Sequence, residues 1–199
     1  MTFRQHPWHG VEPAIEPGVF QAYIELVPTD TVKYELDKAT GLLKVDRPQK
    51  YSNLCPTLYG FIPKTHCGAG VGALCGDRVG RGGIVGDGDP LDVCVFTEKA
   101  INHGDILVPV VPIGGLRMIE ANEADDKIVA VLRGDATYGA WRDLADVPAG
   151  LLDRLRHYFL TYKEMPSAGP RRVEIPQTYG RDEALEVVAR ALEDYRALA

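Results

Sequence analysis

The apolar residues change period along this chain, and that change limits what it can fold into. In VFQAYIELVP (19–28), Phe20, Ala22, Ile24 and Leu26 share one face, while Gln21, Tyr23 and Glu25 take the other. TVKYELD (31–37) alternates as well, placing Lys33 and Glu35 together opposite Val32, Tyr34 and Leu36. KATG then turns into LLKVDR, so a hairpin is expected. Further strands are expected at 92–96, 106–113 and 127–132. From Pro148 the period becomes helical: Leu151, Leu152, Leu155, Tyr158, Phe159 and Tyr162 recur at three- and four-residue steps. After a Pro/Gly-rich connection, Leu185, Val188, Ala189, Leu192 and Tyr195 mark a second helix running to the end. Short strands followed by helices predict an α+β fold, a small barrel covered by helices on one side. With no repeat and no composition break, residues 1–199 read as one domain.

The net charge of −6 argues against a nucleic-acid binder that works by broad phosphate neutralisation. It leaves room for an anionic ligand if metal ions bridge it to acidic groups. No apolar run approaches the roughly 20 residues that span a bilayer. MTFRQHPWHGVEPAIEP has no basic start followed by an apolar stretch, so a cytoplasmic location is expected. Cys55, Cys67, Cys75 and Cys94 form no CxxC pair and are read as free thiols. A zinc site at His66, Cys67 and Cys75 and a disulfide are the less favoured alternatives. The segment 63–86 holds eight glycines but neither GxxxxGK[ST] nor a GxGxxG leading into a helix. It reads as a flexible surface excursion, with a lid or subunit contact as the alternative.

The strongest chemical signal is DGDPLD (87–92). In an extended strand Asp87 and Asp89 point one way and Asp92 the other. Pro90 cannot donate to a ladder, so a bend there is expected to bring Asp92 round to the others. Three converging carboxylates repel unless a cation sits among them, which points to a hard-metal site. An EF-hand fails, because its fifth and sixth positions from Asp87 hold Leu91 and Asp92 instead of an oxygen ligand and glycine. Polar residues also interrupt the other strands: Glu25, Lys33, Glu35 and Arg47. Tyr59 lies in CPTLYGFIP, Glu120, Asp125 and Lys127 in EANEADDK, and Tyr162 and Lys163 close the first helix.

Together these residues resemble the soluble family I inorganic pyrophosphatases, in a bacterial-type form. DGDPLDV matches all seven places of that family's signature. The likeness continues through IELVP, KYELDK, KVDRP, YGFIP, GGLRM, EADDKIVAV and HYFLTYK, in order from about residue 19 to 164. The resemblance implies hydrolysis of pyrophosphate to two phosphates on a five-stranded OB-like barrel with flanking helices, in a homo-oligomer. It implies that Asp87, Asp92, Asp125 and Glu120 bind magnesium, with Glu25 and Glu35 supporting the metal and water network. Asp89 would be the general base on the attacking water, which bridges two of the metals. Lys33, Arg47, Tyr59, Lys127, Tyr162 and Lys163 would hold phosphoryl oxygens, with Tyr59 also counted among the catalytic groups.

Seven such carboxylates against four cations, with pyrophosphate bringing about −3 to −4, call for about three or four divalent ions. All-oxygen ligands favour Mg²⁺, with Mn²⁺ a plausible substitute. The sequence departs from the family pattern in three places. Glu120 stands where Asp is usual, with Asp126 available to make up for it, and Cys55 stands where Tyr is usual. The glycine-rich stretch is longer than in the short bacterial form and bears on how that form's hexamer contacts carry over.

Overall fold

The computed structural model describes residues 4–163 and 172–198. In chain order the strands are β1 (Ala14–Glu16), β2 (Val19–Leu26), β3 (Val32–Leu36), β4 (Leu43–Pro48), β5 (Leu58–Phe61), β6 (Val85–Gly86), β7 (Asp92–Phe96), β8 (Ile106–Glu120), β9 (Glu123–Ala124), β10 (Lys127–Leu132) and β11 (Val173–Gly180). The helices are α1 (Ala69–Val79), α2 (Ala149–Thr161) and α3 (Arg181–Arg196). Among the described residues no helix is long and apolar enough to cross a membrane.

Strands β2, β5, β7, β10 and β8 pair in that order, and β8 pairs back to β2, which closes a five-stranded barrel. The expected α+β, OB-like class is what the chain adopts. All pairings in the ring are antiparallel except β7 with β10. Closure needs the strands to approach closely. At Gly60 a Cβ would stand 1.8 Å from the Tyr23 carbonyl oxygen, so only glycine lets β5 lie against β2 there.

Alternation along the strands sorts the core in two. Ala22, Ile24, Leu58, Val93, Val95, Val108, Val110, Ile128 and Ala130 form one cluster that continues into residues of α1 and α3. Cys94, Phe96, Leu116, Val129 and Val131 face the other way and pack with Leu155, Tyr158 and Phe159 of α2. Each strand therefore buries both faces, and the helices extend the core on either side of the barrel wall.

Three expectations need correction. The expected 31–47 hairpin forms, β3 pairing with β4 as a sheet of its own among the described residues, but the expected strands omit β5, which is too short to announce itself by alternation and completes the barrel ring. The end of the Pro/Gly-rich connection is strand: β11 pairs along β8, with a register shift between Glu174 and Gln177 that accommodates Pro176. The rest of that connection, 164–171, lies outside the described residues.

The glycine-rich segment is the third. Instead of a flexible excursion it contains α1, which buries Val71, Gly72, Leu74 and Cys75. Its glycines serve close packing: a Cβ on Gly72 would lie 2.7 Å from the Gly86 amide nitrogen. Glycine costs a helix up to about 1 kcal/mol per residue relative to alanine, so α1 depends on tertiary contacts. Its own N-cap, Gly68, has no side chain to offer. Asp194 of α3 supplies the missing acceptor, taking the N–H groups of Gly68, Gly70 and Val71 at 3.0, 3.0 and 2.9 Å. A carboxylate at a helix N-terminus also meets the positive end of the helix dipole. Asp194→Ala is expected to destabilise the protein by about 1–2 kcal/mol, with α1 amides the first to lose hydrogen-exchange protection. Unchanged protection along 69–79 would show that the cap does not hold α1.

Candidate active site

The parallel pairing of β7 and β10 sets the position of the site. It brings the starts of both strands to one end of the barrel, where Asp92 and Lys127 are direct partners in register. The chain reaches β7 through DGDPLD, and the bend falls at Gly88 and Asp89, ahead of the position expected at Pro90. Gly88 adopts φ +78°, a left-handed conformation open to glycine without steric cost. The Asp87 carboxylate accepts the Asp89 N–H at 2.9 Å, and the Cys67 N–H donates to the Asp89 carbonyl at 2.8 Å. These bonds turn Asp87, Asp89 and Asp92 towards one cavity.

That cavity, of about 430 Å³, is lined by all thirteen residues singled out from the sequence: Glu25, Lys33, Glu35, Arg47, Tyr59, Asp87, Asp89, Asp92, Glu120, Asp125, Lys127, Tyr162 and Lys163. β2 contributes Glu25, the β3–β4 hairpin Lys33, Glu35 and Arg47, β5 Tyr59, the end of β8 Glu120, and the end of α2 Tyr162 and Lys163. Lys38, Asp46 and Glu123 also line it and escaped the sequence reading. Asp46 was hidden because strict alternation puts it opposite Arg47. A register shift between Lys33 and Tyr34 makes Asp46 the extra residue of a bulge. Its carboxylate bonds the Arg47 guanidinium and lies 3.2 Å from Lys33 Nζ. Lys38 and Glu123 lie inside the quoted motifs KYELDK and EANEADDK and could have been found there.

Among the described residues nine carboxylates and five cationic side chains line the cavity, a formal excess of four negative charges. The Lys127 ammonium is buried and bonds both Asp92 and Asp125. Burial alone would lower its pKa, but the two carboxylates outweigh that and hold it well above the ordinary value. Tyr59 donates its hydroxyl to Asp92 at 2.6 Å, and burial pushes that phenol well up. Burial raises three carboxyls of the cavity: Asp87 to about 6, Asp125 to about 7 and Glu25 to about 8. Glu25 accepts the Leu36 N–H at 2.7 Å, and this only partly offsets its desolvation. Lys163 bonds Glu120, and the Tyr162 ring lies under both Lys163 and Arg47, at 5.2 and 5.7 Å.

Among the described residues no three His, Cys, Asp or Glu groups converge tightly enough to form a ligand set as they stand. The donor chemistry nevertheless fits hard divalent cations: every anionic group is a carboxylate, and several are desolvated and short of positive charge. The four cysteines are free and buried. Cys55 lies in the apolar cluster with Tyr59, Tyr158 and Phe159 and does not reach the cavity.

Asp126 does not make up for the longer Glu120. The strand period turns it away from the cavity, where it is buried against Arg117 at 3.2 Å and accepts from Tyr179 at 3.3 Å. Arg117 is itself fully buried, bonds Glu183 at the start of α3, and stacks over the Tyr179 ring at 4.7 Å.

Comparisons with known proteins agree with this geometry. The family profile of inorganic pyrophosphatase matches residues 22–196. An inorganic pyrophosphatase of Chlamydia muridarum is 53% identical over 197 residues, covering 96% of this chain and 93% of that protein. One from Chlamydia trachomatis serovar L2 is 51% identical over the same shares. The crystal structure of inorganic pyrophosphatase from Thermus thermophilus superposes with a TM-score of 0.78 at 28% identity, covering 96% of this chain and 99% of that one. With the family profile spanning the barrel, the cavity and the flanking helices together, the chain belongs to the inorganic pyrophosphatase family.

Proposed function

We propose that this chain hydrolyses inorganic pyrophosphate to two phosphates, with divalent metal ions bound by the cavity carboxylates and Asp89 as general base. The observation that carries the reading is the composition of one cavity: carboxylates crowded at the barrel end, faced by lysine, arginine and tyrosine groups from the barrel, the hairpin and the end of α2. Membership in the family supports the substrate.

Asp87, Asp92, Asp125 and Glu120 would hold the ions, with Glu25 and Glu35 behind them; Mg²⁺ suits the donor set, Mn²⁺ is the closest substitute, and about three or four ions balance the charge with substrate bound. Such ions supply Lewis acidity, lowering the pKa of a water and neutralising phosphoryl oxygens. Lys33, Arg47, Tyr162 and Lys163 orient the pyrophosphate, and Lys127 adds its charge beside Asp92 and Asp125. Asp89 accepts a proton from the attacking water as its oxygen bonds to phosphorus and the bridging P–O bond breaks. The leaving phosphate carries the released electron pair, and the cations stabilise it. Tyr59 acts mainly through its hydrogen bond to Asp92, which fixes that carboxylate for its ligand role.

Phosphate release from pyrophosphate should require a divalent ion and stop with chelator. Asp89→Asn should lower kcat by about 10²–10⁴-fold in the presence of Mg²⁺. Turnover of Asp89→Asn at the wild-type rate would remove Asp89 as base, and no release with any metal would favour a non-enzymatic phosphate-binding role. Glu120→Asp shortens one ligand by a methylene and should shift the ratio of Mg²⁺ to Mn²⁺ activity. An unchanged ratio would take Glu120 out of the ligand set.

Acidity gives a separate test. Asp87, Asp125 and Glu25 have folded-state pKa values above the ordinary carboxyl range, so the metal-free fold prefers them protonated. Their stabilising contribution is fully present below about pH 4, where the unfolded carboxyls are protonated too, and is lost as pH rises from there through the folded values of about 6 to 8. A bound cation prefers the ionised form. The melting temperature in chelator should therefore fall across this window while Mg²⁺ affinity rises, by roughly tenfold per pH unit for each proton displaced. Calorimetric titration in buffers of different ionisation enthalpy measures the protons released; an affinity independent of pH between 6 and 8 would contradict the assignment of these carboxyls as ligands.

A further inference from the structure

The β3–β4 hairpin carries Lys33, Glu35 and Arg47 into the cavity yet shares no strand pairing with the barrel. Side-chain contacts must therefore set its position. On the barrel side these are the Glu25–Leu36 hydrogen bond and the packing of Leu36 among Trp8, Tyr23 and Phe61. The N-terminal segment holds the turn that follows Leu36. His6 Nδ1 accepts the N–H groups of Trp8 and His9 at 3.2 and 3.3 Å, which leaves Nε2 as the protonated nitrogen. Nε2 lies 3.2 Å from the Lys38 carbonyl and donates to it. The same ring lies against Gly41, whose φ is +71° and where a Cβ would come within 2.8 Å of it.

This segment also grips the DGDPLD loop. The Trp8 indole N–H donates to the Thr65 carbonyl at 2.7 Å, and the Thr65 hydroxyl accepts the Leu91 N–H at 2.8 Å. Residues 6–8 thus tie the hairpin turn and the acidic loop to each other, and Lys38 spans the gap between them. Its ammonium pairs with Asp89 Oδ1, while Oδ2 has no hydrogen-bond partner among the described residues. The family profile begins at residue 22, after this segment.

We propose that Lys38 is a positioning residue for Asp89, held in place by His6: the ammonium fixes Oδ1, and Oδ2 is left to take the proton of the attacking water. The inference rests on Asp89 as the general base. A carboxylate turns freely about its terminal torsion, and a misdirected base is costly, since displacements of about 1 Å can slow catalysis by about 100-fold. The pair is half-exposed and so contributes little to stability, which separates a positioning role from a structural one.

The test uses the full chain with Mg²⁺ and pyrophosphate. Lys38→Met should lower kcat by about tenfold, with KM within about twofold of wild type and the melting temperature unchanged. Lys38→Arg should recover most of the loss. His6→Ala should give a smaller fall in kcat, and His6→Ala with Lys38→Met should be no slower than Lys38→Met alone, because both act through one contact. Within Asp89→Asn, Lys38→Met should have no further effect. A Lys38→Met enzyme with wild-type kcat, or with its loss entirely in KM, overturns the proposal, as does additivity in the double variant. Asp89→Asn at the wild-type rate removes the base assignment and this inference with it. A crippled Asp89→Asn beside a full-rate Lys38→Met removes this inference alone. Lys38 is exposed, so its variants decide the matter even where the His6 variant folds poorly.

Discussion

A fully buried ammonium organises this molecule. Removing a charge of that kind from water costs several kcal/mol unless paired charges compensate, and deleting one partner of such a pair typically costs about 3–5 kcal/mol. Lys127 meets that demand through Asp92 and Asp125, and it can do so because β7 and β10 run parallel and in register. An antiparallel pairing of the same strands would put Asp92 and Lys127 at opposite ends of the barrel. Tyr59 on β5 then bonds Asp92 from the neighbouring strand. The centre of the site is thereby built on the rigid barrel end, to which the hairpin adds Lys33, Glu35 and Arg47 and the end of α2 adds Tyr162 and Lys163.

The alternation of side chains along 125–127 divides two electrostatic systems that adjoin in sequence. Asp125 and Lys127 face the cavity. Asp126 faces the interior on the opposite side, where Arg117, Tyr179 and Glu183 enclose it. Burial raises the Asp126 carboxyl to about 7, against the pull of the Arg117 guanidinium. This second network links β8, β10, β11 and the first turn of α3, so it braces the backbone that presents Asp125 without touching the cavity. The two buried networks share one short stretch of chain, and a one-residue slip there would exchange their partners.

Much of the fold was legible because its signals are local. The strand at 127–132 and the helix after Pro148 appear where hydrophobic period puts them. Elements whose stability comes from distant partners were not legible. The four-residue strand β5 has no room to show a period, and the end of the Pro/Gly-rich connection becomes strand only because β8 is long enough to receive it. α1 is the clearest case: eleven residues with three glycines read as a loop, and the cap that stabilises the helix comes from Asp194, far along the chain. The candidate site was legible to a similar depth. Its thirteen residues came from quoted motifs; Asp46 and Lys38 lie in the same motifs, but a bulge brings the one into the cavity and a contact between two loops the other.

By itself the sequence determined the chemistry on offer: carboxylates at DGDPLD and EANEADDK, and cations on a hairpin and at a helix end. That follows from residue type and short spacing, which need no knowledge of distant contacts. The tertiary structure decided which of two adjacent aspartates faces the cavity and that a glycine-rich run becomes a helix. It also decided that the N-terminal segment reaches the acidic loop. Each of those outcomes depends on strand register, close backbone approach or capping by a remote side chain, and those interactions exist only once the barrel has closed.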